Sequence, residues 1–505
     1  MKKKTGWVGA LLALMLLVSA CGGNGNSGGA NSGNGEAAGS PTVQAGEEPY
    51  ELVVAFFVLG EVPGDLPMVQ EEINKISKAK INTTVKLLPI NIGAWKNQMN
   101  LMMTSGEKLD LIVVNEYSND VTKGRLQPIN DLLEKHGQGI LEALGPDYYN
   151  ATKIKGQSYA VPSIRDLAAD YGLVMRKDLI DKYRIDVSQV QTLEDLEMVF
   201  KAIKDNEPNL VPITNKTNDS VLGTFSTRDS LGDNFGVLLN NGQDDLKVVN
   251  WFATEEYANQ LRTVRKWYEA GYVLKDAVQN QESDVAMIKA GKAASFLGHQ
   301  KPGYEAQQSR ATGMEMVAIK LAPAVAKTST VSTIMWGVPS GAEKPERSMQ
   351  FLNLMYTDKD IINLLDWGIE GKHYVKTDNG LIDYPEGVNA QSTGYGLNMG
   401  WMFGNQFLSH VWKSDDPDVW KAMDEFNRNA VKSKALGFNW DPTPVKAEVT
   451  AVYNVVDQYR RGLESGILDP DKELPAFLGK LQSAGIDKII AEKQRQLDEW
   501  AQTQE

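Results

Sequence analysis

Residues 51 to 58 read Glu-Leu-Val-Val-Ala-Phe-Phe-Val, with seven apolar side chains in unbroken succession. A strand with one wet face alternates apolar and polar residues; a continuous run of strand length, rich in Val and Phe, is buried on both faces. Such a strand belongs in the middle of a parallel sheet, covered by helices. The next residues supply the first cover: Leu66, Val69, Ile73, Ile76 and Ala79 recur at three and four positions, which predicts a helix packed on that sheet. Thr83 to Ile90 reads as a second strand, Trp95 to Thr104 as a helix and Leu109 to Asn115 as a third strand. Strands alternating with helices imply right-handed βαβ units and an α/β fold.

The alternation continues. Gly172 to Met175 is a predicted strand, Val187 to Asp205 a loop and helix, and Glu255 to Ala270 a long helix with Tyr257, Leu261, Val264 and Trp267 on one face. Pro345 suits the first turn of a helix carrying Met349, Leu352 and Tyr356. Thr357 with Asp360 reads as an acidic capping box for the next helix, ending at Gly368. Amphipathic helices from Leu474 to Trp500 close the chain. With 505 residues, 42% hydrophobic and 23% charged, the composition is that of a globular protein of two or three domains.

The only cysteine is Cys21, and its setting is an address. Lys2, Lys3 and Lys4 precede an apolar run from Trp7 to Val18 that is too short for a permanent span, as expected of an export signal over residues 1–20. Val18-Ser-Ala-Cys21 resembles a lipobox, in which cleavage leaves a lipid-modified Cys21 as the new N-terminus. Residues 21–49 are then expected to be a flexible tether of Gly, Asn and Ser, with a reach of roughly 30 Å. With the thiol consumed, no intrachain disulfide is possible.

Losing three lysines takes the formal net charge from −13 to −16. An acidic globule of this kind repels phosphate backbones, which argues against nucleic acid as a partner. His136, His299, His373 and His410 lack paired metal-ligand spacing, so neither a metal nor another cofactor is expected. No P-loop or His-Glu-x-x-His is present, and the one Gly-x-Ser-x-Gly match, Gly25 to Gly29, falls in the Gly/Asn/Ser tether instead of a strand-to-helix elbow; a carboxylate pair for glycoside hydrolysis need not be close in sequence.

Five stretches in order, Leu101-Met-Met-Thr-Ser-Gly-Glu-Lys-Leu-Asp-Leu-Ile-Val113, Leu126-Gln-Pro-Ile-Asn-Asp-Leu-Leu133, Lys155-Gly-Gln-Ser-Tyr-Ala-Val-Pro162, Met175-Arg-Lys-Asp-Leu179 and Gly291-Lys-Ala-Ala-Ser-Phe296, carry a resemblance over roughly residues 50 to 370. The chain resembles the extracellular solute-binding proteins of ABC importers, family 1, in its longer Gram-positive lipoprotein branch. The resemblance implies a two-lobed, type II (Venus-flytrap) α/β fold with extra C-terminal helices. It implies a first lobe from residues 50–165 and about 335–395, and a second from 166–334 and about 396–505. It implies a monomer without catalytic residues, held by its lipid on the outer face of the cell membrane, that passes a mono- or oligosaccharide to an ABC permease. Two alternatives stay open: a surface glycan-processing enzyme, and the same binding fold with a peptide or other small solute.

Sugar hydroxyls call for amides, carboxylates and Arg, and sugar C–H faces for Trp or Tyr. Ligands of α/β sheets sit beyond the carboxyl ends of strands, which nominates Glu61 and the Asn115-Glu116-Tyr117 loop. Arg165 and Asp166 fall where the chain would pass between lobes. Arg228 is a cleft arginine or a surface partner of Asp229 or Asp233. His299 and Tyr304 follow the strand-like Ala293 to Leu297. Among eleven tryptophans, Trp336, Trp367 and Trp401 stand beside glycines in expected loops, whereas Trp267 and Trp500 lie on helical faces and suit a core. Tyr148-Tyr149 lacks metal-type partners nearby. Asp415 to Asp418 and Asp469 to Glu473 read as helix-starting turns.

Overall fold

The computed structural model describes residues 48–504. The expected signal peptide, Cys21 and all of the tether but residues 48 and 49 lie outside them. Strand β1 (Tyr50–Val58) runs parallel to β2 (Thr83–Asn91) on one side and to β3 (Leu111–Val114) on the other. Leu52 to Val58 are all buried, the physical meaning of the unbroken apolar run. The chain then adds β4 (Ala160–Pro162) and leaves for a second sheet: β5 (Ala169–Arg176), β6 (Val211–Thr214), β7 (Ala293–Gln300) and β8 (Met316–Ala326). It returns as β9 (Met335–Gly337), antiparallel to both β3 and β4. After a short hairpin, β10 (Val375–Lys376) and β11 (Ile382–Asp383), it crosses again to lay β12 (Val431–Lys432) parallel to β8.

The first sheet has the order β2-β1-β3-β9-β4 and the second β12-β8-β5-β7-β6. Strand β5 is central, antiparallel to β7 and β8. Its Gly172 approaches Ile319 so closely that a Cβ would stand 2.0 Å from the Ile319 carbonyl oxygen, so no other residue fits. Two sheets joined by three crossovers, at 163–168, 327–334 and about 430, make the two-lobed type II fold.

Four hydrophobic cores lie among the described residues, three of them large and a small one around Val174, Met287 and Phe296. The first combines β1 to β4 with the return from Ala326 and continues through Met399, Met402, Phe403 and Ala430, past the lobe change expected near residue 395. The second surrounds β5 and β7. The third joins Leu231 to Leu261 with the helices Lys446–Glu464, Pro470–Ala484 and Ile486–Gln502, where Phe477 packs on Phe252 and Tyr459.

Two local expectations need correction. The helix Lys359–Asp366 is capped by Asp358, whose carboxylate accepts from the amides of Asp360 and Ile361, while the Thr357 hydroxyl donates back to Asn353 in the preceding helix. The strand before His299 also runs further than expected, so that His299 and Gln300 belong to β7.

Candidate functional site

The first crossover carries the charged part of the site. Asp166 is buried, and its Oδ1 accepts from Arg165 Nε at 2.7 Å while Oδ2 pairs with Lys301 Nζ at 3.3 Å. Arg165 comes from the crossover and Lys301 from the end of β7, so one carboxylate ties the junction to the second lobe. Burial pushes the Asp166 carboxyl up, but Lys301 and Arg165 outweigh it and hold the group below the usual carboxylate range. His299 lies beside them with its ring 6.3 Å from that of Tyr304. His299 keeps an exposed surface, and desolvation by the protein around it, with Lys216, Lys301 and Arg165, lowers its pKa against the pull of Asp166.

A row of aromatic rings leads away from this charged fork. Ile164 donates to the Gly404 carbonyl at 2.7 Å and accepts from Gln406 at 3.0 Å, which seats residues 404–407 on the crossover. Gly404 is required there, since a Cβ would meet the Met355 carbonyl at 2.1 Å. Phe407 stacks on Trp420 with centroids 6.1 Å apart. Trp420 Nε1 donates to the Ser409 carbonyl, and Trp367 Nε1 to the Ser409 hydroxyl, each at 2.8 Å. Trp367 faces Trp412 at 5.3 Å, and Tyr384 meets Trp412 edge-on at 4.6 Å. All five rings are half-buried. The same segment touches the second lobe, where Arg310 pairs with Asp415 and Val419 closes over Gly303. The shelf therefore lies along the seam between the lobes.

Half-buried aromatic rings suit the C–H faces of sugars, and the Arg165–Asp166–Lys301 fork suits hydroxyls. Among the described residues no group of three or more His, Cys, Asp or Glu could hold a metal ion.

The residues nominated from sequence fall into three groups. Arg165, Asp166 and His299 come together at the crossover, and Trp367 lies in the aromatic row with Ser409 and Trp412. Glu61, Asn115 and Glu116 lie at the carboxyl ends of β1 and β3, where Asn115 and Glu116 line a cavity of about 120 Å³ with Trp95 and Lys96, and Lys96 pairs with Glu116. The others are engaged elsewhere in the protein. Tyr117 is buried and donates to the Thr152 carbonyl at 2.6 Å. Trp336 stands on β9, not in a loop, fully buried with Nε1 on the Met402 carbonyl at 2.6 Å. Tyr304 is buried against Gly298. Trp401 is half-buried, 6.2 Å from Phe57. Arg228 lies over the Trp251 ring at 4.3 Å and donates to Asn234, so neither Asp229 nor Asp233 is its partner.

Lys301, Tyr384, Phe407, Trp412 and Trp420 join the candidate site only through the structure and were not nominated from sequence. The available signal was the aromatic density between Trp401 and Trp420 without helical spacing.

Residues 67–361 match the family described as bacterial extracellular solute-binding protein, and residues 434–502 match a domain of unknown function, DUF3502. A carbohydrate ABC transporter substrate-binding protein of Streptococcus pneumoniae is 28% identical over 470 residues, 90% of this chain and 92% of its own length. The crystal structure of the N-glycan transport solute-binding protein NgtS from the same species superposes with a TM-score of 0.81 at 26% identity, covering 90% of this chain and 100% of that one. The same protein in complex with Man5GlcNAc gives 0.69 at 25% identity, covering 90% and 99%. The two lobes, the seam between them and these matches lead to one identification: the chain belongs to the bacterial extracellular solute-binding protein family.

Proposed function

We propose that this chain is the carbohydrate receptor of an ABC importer, anchored through Cys21 on the outer face of the cell membrane. The observation that carries the reading is the seam itself: a charged fork at the crossover continuing into a shelf of half-buried rings, on a segment that touches both lobes. The first lobe comprises residues 50–165 and the return from about 335 to 430, and the second the remainder to the C-terminus. A glycan laid on the shelf and bonded by the fork contacts both lobes, and that differential contact favours closure. The protein superposes better on the first NgtS structure, TM-score 0.81, than on the Man5GlcNAc complex, 0.69. This difference supports a receptor that closes on its cargo. The loaded form then docks on a permease, and the tether keeps it near without fixing its orientation.

A melting screen of residues 22–505 against a panel of mono- and oligosaccharides tests the reading. A ligand bound only by the native state stabilises it by RT ln(1 + [L]/Kd), about 2.7 kcal/mol at a hundredfold excess over Kd, and so raises the melting transition. Release of cleaved glycan without stoichiometric binding contradicts it. Cys21→Ala is expected to keep glycan binding and lose membrane retention and uptake.

A further inference from the structure

The shelf has an anchor of its own. Asp366 ends the helix Lys359–Asp366 with only 2% of its surface exposed. Its Oδ2 accepts the Ser409 hydroxyl at 2.5 Å. The same hydroxyl oxygen accepts the Trp367 indole N–H at 2.8 Å, with the His410 carbonyl a second, longer acceptor at 3.2 Å, and the Ser409 carbonyl accepts the indole N–H of Trp420. One serine thus fixes the polar edges of two indoles whose faces pack on Trp412 and Phe407. The helix grips this strip on both sides of Ser409, because Asn363 accepts from the His410 amide at 2.7 Å and donates to the Leu408 carbonyl at 3.1 Å.

The direction of these bonds follows from donor count. An indole N–H can only donate, and a hydroxyl has one hydrogen. An ionised carboxylate is acceptor-only, so it takes the Ser409 proton and leaves the oxygen lone pairs turned to Trp367. A carboxylic acid is a weaker acceptor and can compete as a donor. We infer that Asp366, acting through Ser409, is a positioning residue that sets the tilt of the Trp367 and Trp420 rings and with it the stacking surface offered to a sugar. The inference rests on the proposed carbohydrate site only for its functional consequence; the ring positions are measurable without ligand.

The state of Asp366 is open to change at mild acidity. Burial pushes its carboxyl up to about 6, only partly opposed by the Ser409 hydroxyl and the amides of Gly400 and Met399. Tyr395 packs beside it, donating its hydroxyl to the Leu365 carbonyl, and His373 lies behind the Tyr395 ring, paired with Asp65 and close to Lys372. On the Ser409 side the neighbouring titratable group is His410, packed on Tyr374 with Glu370, Lys376, Lys359 and Asp360 around it. Asp366→Asn removes one titration and leaves both histidines in place, which separates their effects.

The test is to label the tryptophan indoles of the full chain with ¹⁵N and follow their N–H resonances from pH 7.5 to 5. In the wild type the Trp367 and Trp420 resonances are expected to move together with a midpoint near 6. In Asp366→Asn both should be displaced at pH 7.5 and lose that shared titration. Ser409→Ala should displace Trp367 more than Trp420, because Trp367 is left with only the longer contact to the His410 carbonyl while the alanine retains the carbonyl that Trp420 uses. Trp336, bonded to the Met402 carbonyl, should stay put throughout and reports folding. For a panel glycan that binds the wild type, Asp366→Asn should weaken affinity about tenfold. Unchanged Trp367 and Trp420 resonances in a folded Asp366→Asn, or a wild-type titration that persists in it, would overturn the inference. Resonances that behave as expected in a protein binding no glycan support the positioning role and sink the carbohydrate reading instead.

Discussion

Leu167 and Asn427 stand 260 positions apart, and the Leu167 amide donates to Asn427 Oδ1 at 2.8 Å. The other end of the same carboxamide donates to the Arg165 carbonyl at 2.6 Å. A side chain just before the third crossover therefore clamps the backbone of the first, on both sides of Asp166. Asn427→Leu leaves a buried amide and carbonyl without partners, each costing about 1–3 kcal/mol. A melting temperature lowered by several degrees is the expected result, read by calorimetry on the ligand-free protein.

The tryptophans should separate into two classes. Trp412→Ala and Trp420→Ala remove half-exposed rings, so glycan affinity is expected to fall at least tenfold with only a small loss of stability. Trp336→Ala empties a fully buried site and should cost about 3–5 kcal/mol. Paired titration calorimetry and thermal denaturation of the three variants check the division.

Asp166 sets an acid limit. Its folded pKa lies below the unfolded value, so its stabilisation is complete above the unfolded pKa of about 3.9 and is lost as pH falls through the lower folded value. Lys301→Met leaves Arg165 alone to hold the buried carboxylate. The variant should melt below the wild type at pH 7, and the gap should close as the pH is taken below about 3.9 in a denaturation series.

Lys493 and Asp233 should respond unequally. The Lys493 side chain is 0% exposed, with Nζ 2.5 Å from Asp233 and within bonding reach of the Gly236 carbonyl, while Asp233 retains contact with solvent. Asp233→Ala strands a buried ammonium and is expected to cost about 3–5 kcal/mol. Lys493→Met replaces the ammonium with an apolar chain of similar length and should be close to neutral. Urea denaturation of both variants gives the comparison.

What could be read from sequence was what neighbouring residues decide. The seven apolar residues after Glu51 placed β1 between parallel partners, because burial on both faces is written in adjacent positions. Ala293 to Leu297 likewise announced a strand, and the tail announced its helices through periodicity. Trp336 was misread for the opposite reason. Its strand has three residues, and the partners that bury it, around Val113 and Val161, lie far away in the chain. The shelf was half legible: Trp367 beside Gly368 drew attention, but Trp412 and Trp420 sit among Lys and Asp residues, and only the fold against Ser409 and Phe407 makes them a surface. Thr357 and Asp358 differ by one position, and both residue types suit a cap, so local chemistry could not choose between them.

The most direct test is to titrate residues 22–505 calorimetrically with the best glycan from the melting panel, then recover that glycan and weigh it by mass spectrometry. One glycan bound per chain and returned with its mass unchanged is the expected result. No saturable heat with any carbohydrate, or recovery of a cleaved product, would contradict a receptor that binds and releases its cargo intact.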